Sequence, residues 1–215
     1  GQTPEAWAEE LKRAIGHAVD HLSLYQLTIE EGTRFHDLHA AGKFVVPNAD
    51  AAAGLYEITQ EVTAAHGLPA YEISNHAKPG CESRHNLTYW RYGEYVGVGP
   101  GAHGRYVEDG RRVVTFTEKF PEAWLKLVEE KGHGLIGGEV LTRSEEADEF
   151  LMMGLRLVEG IDLTRYEALS GHTLPSRRVS ILREEGLVTP VGNSGLRATP
   201  AGMVVLDALV ADLAR

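Results

Sequence analysis

A single cysteine, Cys81, stands in 215 residues. No internal disulfide can form, and a cluster cage built from several thiolates is excluded within this sequence. Long apolar runs are missing as well: nothing approaches the ~20 consecutive residues that span a bilayer, and no signal-peptide pattern opens the chain. Positive charge is scarce, with 21 Lys plus Arg against 31 Asp plus Glu and a formal net charge of −10. A general affinity for the phosphate backbone of nucleic acid is therefore excluded. There is no initiator methionine, and Gly1-Gln2-Thr3-Pro4 enters a helix almost at once. What is present suits a globular chain in a reducing, cytoplasmic setting. A hydrophobic content of 43% is enough for one domain of ordinary size plus a small second one.

The unusual stretch is 71–104. It holds His76, His85 and His103, the lone Cys81, six glycines, and the aromatics Tyr71, Tyr89, Trp90, Tyr92 and Tyr95. Aromatic rings cover planar apolar ligands, and an imidazole binds metal or exchanges a proton, so function is expected here.

On the N-terminal side, Thr3 and Pro4 open a helix that the spacing of Trp7, Leu11, Ile15 and Ala18 carries to about Ala18. Residues 21–29 are apolar on both faces apart from Ser23, Gln26 and Thr28, the pattern of a parallel strand buried under helices. A short helix around Phe35 and Leu38 ends near Gly42. Asn48 caps a long helix with Leu55, Ile58, Val62 and Ala65 on one face, stopped by Gly67. Residues 70–74 read as the next strand, and the helix–strand–helix–strand order implies an α/β layer.

After Gly104 a hairpin turns at Asp109-Gly110, a short helix carries Phe120, Trp124 and Val128, and 132–138 reads as a glycine-rich linker. Two domains are expected, 1–138 and 139–215. In the second, Ser144 caps a helix with Ala147, Leu151, Gly154 and Val158 on one side. Helices over 163–169 and 176–185 follow, then a hairpin over 187–191 and 196–198. A last helix starts at Pro200 with Val205, Leu209 and Leu213 inward. This is a winged-helix layout. From 141 onward, however, 8 Arg and no Lys face 11 Asp plus Glu, a net of −3. A groove-reading DNA module is basic, so a lid or partner-docking role is expected instead.

Several residues invite chemistry. His85 reads either as a hydrogen-bonded loop histidine, the commoner fate of an arbitrary histidine, or as an axial ligand to haem iron. Asn86 can orient the loop or the imidazole. Tyr89 and Trp90, four and five residues on, place one ring beside His85. His76, Cys81, His85 and His103 have the count for tetrahedral zinc but not the spacing of a paired-ligand knuckle. Gly99-Pro100-Gly101-Ala102-His103-Gly104 satisfies Gly-x-Gly-x-x-Gly, yet a hairpin rather than a helix follows it, which removes the pyrophosphate site. Glu72 and Asp20 have no partner in sequence and read as solvated or salt-bridged groups. Glu145, Glu146, Asp148 and Glu149 read as helix N-terminal carboxylates.

The strings Tyr71-Glu72-Ile73-Ser74-Asn75, Ser83-Arg84-His85-Asn86-x-x-Tyr89-Trp90 and Gly97-x-Gly99-Pro100-Gly101-Ala102-His103 resemble the HemW-type haem chaperones. These are radical S-adenosylmethionine relatives of oxygen-independent coproporphyrinogen III oxidase. The likeness extends to 21–30 and 149–156, and the His-Asn-x-x-Tyr-Trp string is its most specific part, a signature of the chaperone branch. The resemblance implies an α/β fold: the C-terminal part of a partial TIM-like radical S-adenosylmethionine barrel, then a small winged-helix-like domain. In that family Gly-Gln-Thr lies mid-protein and the cluster-binding cysteines lie earlier, so the chain reads as a C-terminal portion. It implies haem held at His85, with Asn86, Tyr89 and Trp90 around it and His85 on the iron. Thr28 and His103 would lie near S-adenosylmethionine. The 4Fe-4S cluster would belong to the full-length protein, so this chain is not expected to be catalytic alone. Implied partners are haem-accepting proteins and no nucleic acid; peripheral membrane contact and oligomeric state stay open. The alternative is the oxidase itself, which decarboxylates coproporphyrinogen III propionates in porphyrin biosynthesis. Family members often carry an aromatic at position 76 and no cysteine at position 81, which disfavours zinc further.

Overall fold

A computed structural model describes residues 2–214 and divides into two compact units, Gly1–Ser83 and Arg84–Arg215. In the first, helix α1 (Pro4–Ile15) begins where the Thr3 hydroxyl accepts the Ala6 N–H at 3.2 Å, and it stops at Gly16, short of Ala18. α1 packs along α3 (Ala49–Ala65), which starts as expected on Asn48, and a short α2 (Arg34–Ala40) lies between them in sequence. The buried face of α3 is not the aliphatic stripe expected from the sequence. It is Thr59 and Thr63 that are buried. Each hydroxyl donates to a carbonyl one turn back, Leu55 at 2.8 Å and Thr59 at 2.7 Å, and Thr59 also accepts the Trp7 indole N–H at 2.8 Å. With its hydroxyl satisfied by its own helix, Thr63 presents only a methyl to the core.

The expected parallel strands are corrected. Strand β1 (His21–Ser23) is three residues long and pairs antiparallel with β2 (Asn75–Ala77), His21 opposite Ala77 and Ser23 opposite Asn75. Beyond it Tyr25 and Leu27 are 76% and 54% exposed, so residues 24–29 are not a buried strand. The span 70–74 is not a strand because the chain folds back on itself there. Ala77 N–H donates to Pro69 O and Tyr71 N–H to Asn75 O. Inside that turn the Glu72 carboxylate accepts from the Ser74 N–H, the Ser74 hydroxyl and the Asn75 amide, taking over the bonding a neighbouring strand would supply.

The second unit opens with α4 (Arg84–Trp90). It continues as an antiparallel meander of β3 (His103–Glu108), β4 (Arg111–Thr117) and β5 (Leu135–Val140), with α5 (Pro121–Lys131) between β4 and β5. Asp109 and Gly110 both have positive φ, 48° and 73°, the primed turn that matches strand twist. The stretch read as a linker runs into β5, with Gly138 opposite Thr115. A Cβ on Gly138 would sit 2.9 Å from the Val114 carbonyl, so glycine is required by the close pairing and does not mark a hinge. Leu141 N–H then donates to Arg112 O, and the sheet runs on toward the next helix without a break at 138/139.

That helix, α6 (Arg143–Gly154), is capped by Thr142 and not by Ser144. Glu145 lies three residues past Thr142 and closes a reciprocal capping box, whereas Ser144 has Ala147 at that offset. β6 (Ile161–Asp162), α7 (Leu163–Ser170), α8 (Ser176–Glu184), β7 (Val188–Val191) and β8 (Gly195–Ala198) follow, the strands ordered β6-β8-β7. The last helix is split into α9 (Pro200–Val204) and α10 (Leu206–Leu213); Val205 at the break is exposed, and Leu206 takes the inward place expected of it. Among the described residues no helix is long and apolar enough to cross a membrane.

Candidate haem-binding site on α4

The seven residues of α4 contain the His-Asn-x-x-Tyr-Trp string, so His85 and Tyr89 fall one turn apart on one face. Tyr89 Oη lies 3.0 Å from His85 Nε2, and the rings meet edge-on with centroids 4.6 Å apart. Tyr89 in turn stands edge-on to Tyr95 at 4.3 Å. Tyr95 is fixed by a two-way backbone bridge to Arg105 on β3, at 2.7 and 2.9 Å. Burial pushes its hydroxyl pKa up, with the Arg105 charge opposing. A ladder of three rings thus runs from an exposed imidazole to the sheet. Tyr95 is the member that spacing alone does not select; its crowding with the other aromatics is the only sequence signal.

Asn86 is half-buried on the same helix. Trp90, about 140° round the helix from His85, has the Arg156 guanidinium 5.6 Å over its ring and a buried indole N–H without a protein partner. Tyr89, not Trp90, is the ring beside His85.

What holds α4 in place comes from far along the chain. Tyr92, in the left-handed region at φ 54°, turns the backbone out of the helix. Arg165 on α7 donates to the carbonyls of Arg91 and Tyr92 at 2.7 and 2.8 Å, and Arg112 on β4 donates to Gly93 O at 2.6 Å. Cations at the carbonyl end of a helix also complement its dipole. Arg165→Met is expected to lower stability by roughly 1.5–3 kcal/mol, the cost of hydrogen bonds to a charged donor, measured by urea unfolding. Tyr92 is buried beneath the Arg112 guanidinium, 4.0 Å from its ring centre, and its hydroxyl donates to Glu149 at 3.1 Å. Burial first, then the Glu149 charge, pushes the Tyr92 pKa up. Glu149 also pairs with Arg105 at 3.1 Å. It is therefore not the helix N-terminal carboxylate that its neighbourhood suggests.

His103 is exposed at the start of β3, edge-on to Phe116 at 5.2 Å. Thr28 is exposed in the first unit. The glycines before His103 serve the chain's own crossing: a Cβ on Gly97 would lie 2.5 Å from His103 O, and β3 rather than a helix follows.

The first unit contains a buried polar group, and Glu72 within it is not the solvated or salt-bridged carboxylate expected from the sequence. Glu72, Asn75 and His76 are 1%, 2% and 0% exposed. The Asn75 amide oxygen accepts the Ser23 hydroxyl at 2.5 Å, but Glu72 Oε2 and both His76 ring nitrogens have no protein partner. Burial, and then the nearby His21, lowers the His76 pKa to about 4. Cys81, by contrast, is exposed. Among the described residues no group of three or more His, Cys, Asp or Glu is placed to hold a metal ion.

Comparison with known proteins finds relatives along the whole chain. Residues 141–205 match the HemN C-terminal domain. The chain is 37% identical over 99% of its length to the mouse "Radical S-adenosyl methionine domain-containing protein 1, mitochondrial", covering 50% of that protein. It is 35% identical over 87% of its length to "Heme chaperone HemW" of Bacillus subtilis (strain 168), covering 49% of it. In structure, 99% of the chain superposes on 52% of Escherichia coli coproporphyrinogen III oxidase (HemN), a radical SAM enzyme, with a TM-score of 0.70 at 19% identity, which establishes a shared α/β fold. The chain spans about half the length of the curated relatives it matches. Over nearly its whole length the chain is similar to HemW- and HemN-type radical S-adenosylmethionine proteins.

Proposed function

We propose that this chain is the haem-holding half of a HemW-type chaperone, with His85 as the axial ligand. The observation that carries the reading is an exposed imidazole at the end of the His85–Tyr89–Tyr95 ladder, on a helix clamped at its other end. Imidazole is a common protein ligand of haem iron, and the adjoining rings supply an apolar, aromatic face for the macrocycle. The cargo then sits on the outside of the chain, where an acceptor protein can reach it. Relatives named as haem chaperones support the same reading.

Under this proposal the acceptors are haem-accepting proteins, and the acidic winged-helix-like region serves as lid or docking piece. The compartment is reducing and cytoplasmic, as suits the exposed Cys81 thiol. The chain's single thiol does not fit a 4Fe-4S cluster, which is held by several cysteines. Thr28 and His103 belong to different units, and no S-adenosylmethionine pocket is assigned to them. Radical chemistry, including the decarboxylation that the oxidase reading requires, is assigned to no residue of this chain.

Haem titration with absorption spectroscopy tests the proposal. Wild type is expected to shift the Soret band on binding, and His85→Ala to bind roughly tenfold or more weakly, a loss of at least about 1.4 kcal/mol. Unchanged binding in the mutant would move the ligand elsewhere, with the exposed His103 next in line and the buried His76 out of reach.

A further inference from the structure

The ligand atom is not free. His85 Nε2 is 3.0 Å from the Tyr89 hydroxyl, so the nitrogen is engaged whichever of the two groups carries the proton. We propose that Tyr89 is a latch on His85: its hydroxyl competes with iron for Nε2, and this competition keeps haem binding weak enough for hand-over. The inference rests on the chaperone reading and deepens it.

The argument is one of reach and exchange. On a helical histidine, Nδ1 sits next to the ring carbon that joins Cβ, close to the backbone of α4, while Nε2 stands at the far end of the ring. A macrocycle far broader than an imidazole cannot come flat against Nδ1 without meeting the helix, so iron takes Nε2. If Nε2 is the acceptor, its lone pair must leave the Tyr89 O–H for iron. If Nε2–H is the donor, the proton must first move so that Nδ1 carries it. In both cases one hydrogen bond is given up on binding and recovered on release.

The fixed position of Tyr89 keeps the competitor in place. Its ring is edge-on to Tyr95, which the Arg105 bridge anchors to β3, so the hydroxyl is delivered to His85 at every encounter. The latch is specific to the hydroxyl. Phenylalanine would retain the ring, its packing on Tyr95 and any cover over the porphyrin, and would remove only the competitor.

The net worth of an intramolecular hydrogen bond corresponds to an equilibrium factor of about 2 to 12. Tyr89→Phe is therefore expected to bind haem about 2- to 12-fold more tightly than wild type. Transfer of haem from the mutant to apomyoglobin should be slower by a similar factor. A second readout needs no haem: the rate at which diethyl pyrocarbonate modifies His85 in the full chain, followed by peptide mass spectrometry, should rise in Tyr89→Phe as Nε2 is uncovered. Equal or weaker haem binding, or an unaltered modification rate, would overturn the latch and make Tyr89 a supporting neighbour. Failure of the chaperone reading looks different, since neither protein would then bind haem. The modification rate alone would still decide whether Tyr89 guards Nε2.

Discussion

Glu149→Ala is expected to destabilise the second unit by about 3 kcal/mol or more, because it strands two partners at once. Arg105, with 17% of its side chain exposed, loses its ion pair, and the buried Tyr92 hydroxyl loses its acceptor. Removing one member of a largely buried pair leaves the other's desolvation cost uncompensated, which is why the loss exceeds that of a surface bridge. The damage should also reach the ring ladder. Arg105 is bridged to Tyr95, and Tyr92 forms the turn that ends α4. Glu149→Gln retains an oxygen for the Tyr92 hydroxyl and loses only the charge, so it should recover part of the stability. Urea unfolding of the three proteins measures this. An Ala variant as stable as the Gln variant would show that the Arg105 charge, not the Tyr92 hydrogen bond, dominates at Glu149. If all three unfold together, the pair contributes nothing net.

Much of the second unit could be read from residue order, because its signals are local. The Asp109-Gly110 turn announces its hairpin, Phe120, Trp124 and Val128 announce α5, and Pro200 opens α9. The cap of α6 was also legible in principle: Thr142-Arg143-Ser144-Glu145 is a capping box, with Ser144 a decoy inside it. β5 was not legible, since glycines that permit close strand pairing look the same as glycines of a linker until the partner strand is known. Threonine misled in α3 for a similar reason, because its place in a core depends on whether its own helix satisfies the hydroxyl.

At the site, the spacing of the motif brings one ring of Tyr89 and Trp90 beside His85, but it does not announce α4, the helix that puts Tyr89 there. It could not choose between Tyr89 and Trp90, because both spacings bring a ring near His85 and only the packing at Arg156 decides. The clamp on α4 was invisible for another reason. Arg165 lies more than seventy residues from the carbonyls it binds, and an arginine on an exposed-looking helix carries no mark of a distant partner. The polar group at Glu72, Asn75 and His76 inverted the usual expectation that charge and imidazole face water. Glu72 and Asn75 bond each other locally, which spacing does not report.

His76 gives the second large effect, through pH. Its imidazole is fully buried, and burial lowers its pKa from the ordinary value near 6.5 to about 4. In the unfolded chain the ring takes a proton as pH falls through 6.5, and the folded chain refuses that proton until about pH 4. Above pH 6.5 both states are neutral and stability is intact. Between 6.5 and 4 the unfolded state binds more protons, so stability falls, by about 3 kcal/mol across the window at roughly 1.36 kcal/mol per pH unit. His76→Phe removes this slope. It also replaces two buried nitrogens that lack protein partners with apolar ring carbons, so the His76→Phe variant is expected to be more stable at pH 7 by about 1 kcal/mol or more. The measurement is urea unfolding of both proteins at intervals from pH 7 to pH 4.5. The difference between them isolates His76 from the carboxylates, such as Glu145 and Asp162, whose pKa values hydrogen bonding lowers. A variant that is weaker at pH 7 and loses stability with acid as steeply as wild type would mean that the imidazole nitrogens are bound in solution, and that this buried group has a ligand of its own.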